Sequence, residues 1–357
     1  MNKYNILTFS ILAGLLIGCK GNEKNEENNF SFDSKNLKQV YLPNESIEIK
    51  LLNPDNSAFD SIVYLNNDQR IQSAKDLSAV PYSFLNNKLG YQNFKALIYD
   101  HGKANEVNMR VELVTDVQPE IKTFTILNTY PHDQKAYTQG LEFYGEIMIE
   151  STGNGEGVGT GTKGKSSIRH VNYKTGEVLK KVELTDDVFG EGATVLNDKI
   201  YQLTWLNLEG YVYDVKTLER LKTFPYFKKI QGWGLTNDGT NLLMSDGTEK
   251  IYFMNPETFK EVDYINVYTN SSKIPAINEM EYVDGKVYAN IYTTDSVAII
   301  NPKTGAVEGV IDFSSLKSKV SQHPDLDVLN GIAYNKKTGT FFITGKNWDK
   351  MFEVKIN

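Results

Sequence analysis

Gly140-Leu141-Glu142-Phe143 opens a strand-turn-strand unit that runs to Ile149, and the same unit returns four more times along the chain. The copies are Gly192-Ala193-Thr194-Val195 to Leu203, Gly234-Leu235-Thr236-Asn237 to Met244, Met280-Glu281-Tyr282-Val283 to Ile291 and Gly331-Ile332-Ala333-Tyr334 to Ile343. Their spacing, about 40 to 50 residues, is that of four-stranded propeller blades. A second hairpin, with a turn rich in Asn, Lys, Thr and Gly, follows each of the first four: Ile168 to Leu184, Gly210 to Phe224, Ile251 to Val267 and Val297 to Phe313. The last copy has one further strand, Lys350 to Ile356, and the missing outer strand is available in Ile121 to Leu127. Sharing one blade between the two ends of the domain closes the ring without a long exposed edge. The counting predicts a five-bladed β-propeller over residues 121–357 of an all-β chain, with helix only briefly near Phe313 to Ser321.

Upstream, Ser46 to Leu51, Ser61 to Leu65, Phe94 to Asp100 and Met109 to Val114 alternate apolar and polar residues with strand period, broken by Asn, Asp, Pro and Gly. A small immunoglobulin-like β-sandwich over residues 36–117 is expected, with Val117 to Glu120 as the hinge. Nothing in it carries chemistry, so a spacer or docking role is its simplest reading. The start of the chain has a basic Lys3, an apolar run from Ile6 to Ile17, and then Leu16-Ile17-Gly18-Cys19. That run is shorter than the roughly 20 residues needed to cross a bilayer core. Residues 1–18 therefore read as a lipoprotein signal peptide, with Cys19 as the lipidated residue. Residues 19–35, rich in Asn, Glu, Lys and Ser, bury too little to offset their ordering entropy and read as a flexible tether. The expectation is a monomer held in the cell envelope by its lipid; Lys20 after the cysteine is compatible with outer-membrane sorting.

Cys19 is the only cysteine of 357 residues, so no disulfide forms within the chain. A net charge of −7 with interspersed signs lacks the basic footprint of a nucleic-acid binder. His101, His132, His170 and His323 show no short metal-ligand spacing, and no metal or other cofactor is expected. The stretch Asn154 to Lys165 is glycine-rich, but no helix pattern follows it, so it is not a phosphate loop; a tolerated loop insertion is favoured over a mobile flap.

Ligand sites of propellers lie at one mouth of the central channel. Tyr137-Thr138-Gln139-Gly140, Phe189-Gly190-Glu191-Gly192, Gln231-Gly232-Trp233-Gly234, Ile277-Asn278-Glu279-Met280 and Val328-Leu329-Asn330-Gly331 all stand just before their copy's first strand. Equivalent positions in five blades point at one axis. Glu191 is the sharpest candidate: flanked by Gly190 and Gly192 and walled by Phe189, its carboxyl should titrate high and carry a proton near neutral pH. Standing alone, such a glutamate more often bonds a neighbouring blade's backbone. Trp205 and Trp233 occupy matching regions of successive blades and suit the walls of a narrow pocket, although isolated tryptophans are more often core.

In order and spacing, these motifs, with Glu150-Ser151-Thr152-Gly153, Ser166-Ser167-Ile168-Arg169, Gln202 to Leu206, Ser245-Asp246-Gly247-Thr248 and Thr344-Gly345-Lys346-Asn347-Trp348, resemble the glutaminyl-peptide cyclotransferases of plants and bacteria. The resemblance covers about Phe124 to the end. It implies a five-bladed propeller that converts an N-terminal glutamine of peptides or proteins to pyroglutamate with loss of ammonia, without a catalytic metal. It implies Glu191 as the proton carrier, Gln139, Asn278 and Lys346 as polar pocket groups, and Lys346 and the Asn278 amide as donors to the developing oxyanion. Tyr137, Phe189, Trp205, Trp233 and Tyr292 match aromatic pocket positions, and Asn330 a family asparagine near the axis. Tyr137 stands where the family has phenylalanine and Tyr292 where it has tryptophan, which puts pocket size and substrate preference in question. The rival reading is a catalytically silent envelope propeller that binds peptides or glycans, since propellers host both kinds of function.

Overall fold

The computed structural model describes residues 30–155 and 164–357. The signal peptide, Cys19, all but the end of the tether and residues 156–163 of the glycine-rich insertion lie outside the described residues. From Tyr137 onward the chain folds into five antiparallel sheets in succession. Four are laid down in sequence order, beginning with the inner strands Tyr137–Tyr144, Gly190–Leu196, Leu235–Asn237 and Ile277–Val283. The fifth is built from Leu329–Asn335, Thr340–Gly345 and Lys350–Ile356, and is completed on its outer edge by Phe124–Pro131.

The inner strands crowd the axis, and this is why the repeats open on glycine. A Cβ on Gly140 would stand 2.4 Å from Ala193 N, one on Gly192 2.4 Å from Leu235 N, and one on Gly234 1.8 Å from Asn278 O. In the fourth blade that slot holds Glu279, whose carboxylate accepts from the backbone N–H of Leu141 in the first blade (3.2 Å) and of Ile332 in the fifth (2.8 Å). Further pairs tie blade to blade: Glu142 accepts from Val195 N, Glu281 from Tyr334 N and Thr236 from Tyr282 N. Apolar clusters fill the wedges between sheets, such as Leu203, Phe224, Leu235 and Met254 between the second and third blades. The short helix is Ser314–Lys317.

The segment expected to close the ring behaves differently from the simple count. Ile121 to Leu127 does not form one strand: Glu120–Lys122 adds a parallel fifth strand to the fourth blade, opposite Gly309, Val310 and Ile311. The chain then crosses to the fifth blade, where Phe124 faces Ile356 and Pro131 faces Lys350. One incoming segment thus covers two outer edges that would otherwise present free backbone groups.

Before the propeller stands a β-sandwich. A five-stranded sheet in the order Val40–Tyr41, Lys103–Leu113, Gly90–Asp100, Ser61–Asn66, Gln69–Ala74 is faced by two strand pairs, Ser46–Ile49 with Val80–Ser83 and Ser31–Phe32 with Leu51–Leu52. Alternation does what the sequence led one to expect: Ile47, Ile49, Ile62 and Tyr64 point into the core with Phe84, Phe94 and Ile98. The sandwich begins earlier than residue 36, because Phe30 is 5% exposed within that core. It also ends in firm contact with the propeller. Tyr268, from the loop after the third blade, is buried in the sandwich core, and its hydroxyl donates to Glu112 at 2.9 Å.

Candidate active site

Strand pairing lines up three sets of equivalent positions at one mouth of the channel. At the start of the inner strands, or in the third blade two residues ahead of it, stand Gln139, Glu191, Trp233, Asn278 and Asn330. Just past the ends of the second strands stand Gly153, Trp205, Gly247, Tyr292 and Lys346. The glycines of this second set make room for rings: Gly153 lies against Phe189 and Gly247 against Trp233, each so close that a Cβ would overlap the ring. Two residues upstream of the first set lie Tyr137, Phe189 and Gln231.

From these sets comes a cavity of about 200 Å³ lined by Tyr137, Gln139, Phe189, Glu191, Trp205, Trp233, Asn278, Tyr292 and Lys346. Nine of the ten catalytic and substrate-binding residues named from sequence therefore share one pocket. Asn330 is the exception. It is fully buried beside the cavity, where its Nδ2 donates to Thr138 O (2.9 Å) and to Gln139 Oε1 (3.1 Å). It acts on Gln139: with that oxygen occupied, the Gln139 amide nitrogen is the atom left without a protein partner.

Glu191 and Lys346 are 5% and 3% exposed, and neither side chain has a hydrogen-bond or ion-pair partner among the described residues. Burial pushes the Glu191 carboxyl well above the usual range, against the pull of the Lys346 charge. Burial likewise lowers Lys346, opposed by Glu191 and Asp327. The lysine is steadied by ring faces, its Nζ lying 4.7 Å from the Tyr137 centroid and 4.8 Å from that of Tyr292. Asn278 is buried with its Oδ1 unpaired. A buried polar group without a partner costs stability, so a cavity lined by an unpaired carboxyl and an unpaired ammonium suits a polar ligand.

Sequence reasoning missed the groups that hold these in place. The Tyr137 hydroxyl donates to Asp327 at 2.8 Å, and Gln231 accepts from the indole N–H groups of both Trp205 and Trp233. Beneath the Lys346 loop, His132 donates to Trp348 O (2.7 Å) and pairs with Glu150 (3.0 Å), with Arg169 beside them. Burial would raise Glu150, but His132 and Arg169 hold it down at about 2. Apart from Gln231 with Trp233 and Glu150 with Arg169, the partners come from distant parts of the chain, and no local pattern announces them. Among the described residues, no group of three or more His, Cys, Asp or Glu side chains is placed to hold a metal ion.

A carboxyl and an ammonium, both buried and unpartnered within an aromatic cup, define a propeller with an acid–base pocket. The glutamine cyclotransferase family model matches residues 98–356. An Arabidopsis thaliana protein described as a glutaminyl-peptide cyclotransferase is 39% identical over 246 residues, covering 68% of this chain and 73% of that one. The crystal structure of Myxococcus xanthus glutaminyl cyclase superposes with a TM-score of 0.60 at 32% identity, over 67% of this chain and 99% of that chain. The chain belongs to the glutamine cyclotransferase family.

Proposed function

We propose that this chain is a glutaminyl-peptide cyclotransferase in which Glu191 carries the protons and Lys346 and Gln139 receive the developing oxyanion. The single observation that carries the mechanism is the pair of buried, unpartnered ionisable groups facing one small cavity. In the productive pose the substrate's glutamine side chain enters the aromatic cup and its α-amine nitrogen attacks the side-chain carboxamide carbon. Holding the chain folded supplies most of the advantage, because the reaction is intramolecular. As the N–C bond forms, Glu191 takes a proton from the attacking nitrogen, and charge builds on the carboxamide oxygen. The Lys346 ammonium and the free Gln139 N–H₂ donate to that oxygen. Glu191 then returns the proton to the departing nitrogen, the old C–N bond breaks, and ammonia leaves the five-membered lactam. A carboxyl lifted toward neutrality suits both transfers.

The signal-peptide reading of residues 1–18 adds that the chain is a monomeric, lipid-anchored envelope enzyme, attached through Cys19 and acting on peptides or proteins that begin with glutamine, with the immunoglobulin-like sandwich as a spacer or docking module. The test is ammonia release from a glutamine-initiated dipeptide by the full chain in detergent, beside Glu191→Gln and a chelator. Release that Glu191→Gln abolishes and the chelator leaves unchanged is the expected result. Folded protein that releases none from several such peptides would leave the silent binding propeller as the better account.

A further inference from the structure

The wall of the pocket is a circuit of ring contacts with one break. Tyr137 meets Phe189 edge-on with centroids 6.0 Å apart, Phe189 meets Trp205 at 5.7 Å, and Trp233 meets Tyr292 at 5.4 Å. Lys346, lying over both Tyr137 and Tyr292, joins the two ends of this series. Among the described residues, Trp205 and Trp233 make no ring contact with each other. What spans that gap is one oxygen. Gln231 Oε1 accepts from Trp205 Nε1 at 2.8 Å and from Trp233 Nε1 at 2.9 Å. An indole nitrogen only donates, so the carbonyl end of the Gln231 amide must face both rings.

The position sharpens the point. Gln231 is the third-blade counterpart of Tyr137 and Phe189, standing two residues before Trp233 as they stand before Gln139 and Glu191. Where two blades place a ring in the wall, the third places an amide that holds the rings of its neighbours. Trp205 is 37% exposed, so packing alone does not prevent its ring from swinging toward solvent.

We propose that Gln231 is a positioning residue for glutamine cyclisation, a clamp whose single carbonyl oxygen fixes Trp205 and Trp233 as adjoining walls of the slot that receives the substrate side chain. This rests on the cyclotransferase reading of the pocket. The clamp acts before the substrate arrives: walls already in place cost the substrate no ordering entropy, whereas a free indole must be immobilised on every binding event. Its loss therefore falls on binding, and the carboxyl and ammonium that perform the chemistry are untouched.

The test uses the full chain with Gln231→Met, which keeps length and removes the acceptor, and Gln231→Glu, which keeps the acceptor. Two readouts apply: KM and kcat for ammonia release from a glutamine-initiated dipeptide, and acrylamide quenching of tryptophan fluorescence in the unliganded protein. Of the three tryptophans Trp348 is fully buried, so the quenchable signal reports on Trp205 and Trp233. Gln231→Met is expected to raise KM by up to about thirtyfold, the worth of two neutral hydrogen bonds of ordinary net strength. It should leave kcat nearly unchanged and increase quenching, while Gln231→Glu restores both. Wild-type KM and quenching in Gln231→Met would overturn the clamp, and so would equal losses in the two variants. If the wild-type protein released no ammonia, the cyclotransferase reading would fail alone, and quenching would still decide whether Gln231 fixes the indoles.

Discussion

Replacing Lys346 by methionine should slow the enzyme and stabilise the protein at the same time. The lysine is 3% exposed, has no carboxylate within ion-pair distance among the described residues and rests on two tyrosine rings. Burying an ammonium costs several kcal/mol even after the surroundings relax. Two desolvated cation–π contacts return about 2 kcal/mol each at most. Methionine has similar length, no charge to desolvate, and a thioether that suits the same ring faces. The net gain is on the order of 1 kcal/mol, which raises the melting temperature of a domain of this size by about 2–4 °C. The catalytic cost runs the other way. Loss of one donor to an oxyanion typically lowers kcat about 10²–10³-fold. Ammonia release under saturating dipeptide measures the first effect and thermal melts at neutral pH measure the second, where the ammonium is still charged in the unfolded chain. A variant with near wild-type kcat would remove Lys346 from the chemistry. A variant that melts lower would show that the ammonium is paid for by contacts stronger than two rings.

The alkaline limb of kcat/KM should fall below the ordinary lysine value of about 10.4, because burial lowers Lys346; in Lys346→Arg, whose guanidinium does not titrate, that limb should vanish, and a pH profile of the two proteins decides it. His132→Gln should destabilise the fold by about 3–5 kcal/mol by leaving Glu150 buried beside fewer partners, read by urea unfolding. The signs of the pair follow from its shifts: Glu150, held at about 2, contributes stability above the unfolded carboxyl value of about 4.3 that is lost as pH falls through about 2, and His132, raised, contributes below its unfolded value of about 6.5 and loses it as pH rises through the folded one. Phe30→Ala should cost about 3–5 kcal/mol, because Phe30 lies in the sandwich core; unfolding midpoints equal to wild type would place the edge of the domain after it.

What could be read ahead of the structure, and what could not, divides along one physical line. Gly140, Gly192 and Gly234 were legible because inner strands at a propeller axis approach within backbone contact, and any Cβ there collides. That constraint repeats in the first three blades, so it leaves a period, and the fourth departs from it with Glu279. Gln139, Glu191 and Asn278 were legible for the same reason, since equivalent positions of a closed ring must converge, whereas Lys346 came only from the family resemblance. The misses lack any period. Phe30 and Phe32 alternate over only three residues of an otherwise polar run, too short a stretch to announce a strand. The division of Ile121 to Leu127 between two blades depends on which outer edges are free, a property of the closed ring and not of the segment. Asn330 shares the register of Glu191, yet it turns to Thr138 and Gln139 and stays out of the cavity. Register brings a residue to the axis; the choice between facing the substrate and holding a neighbour that does is made by hydrogen bonds between blades. Asn330, Gln231 and Asp327, which hold Gln139, the two indoles and Tyr137, belong to that second kind. Substitutions among them should therefore alter binding or the stability of the pocket while leaving the proton carrier itself intact, and kinetics that separate KM from kcat are the measurement suited to find more of them.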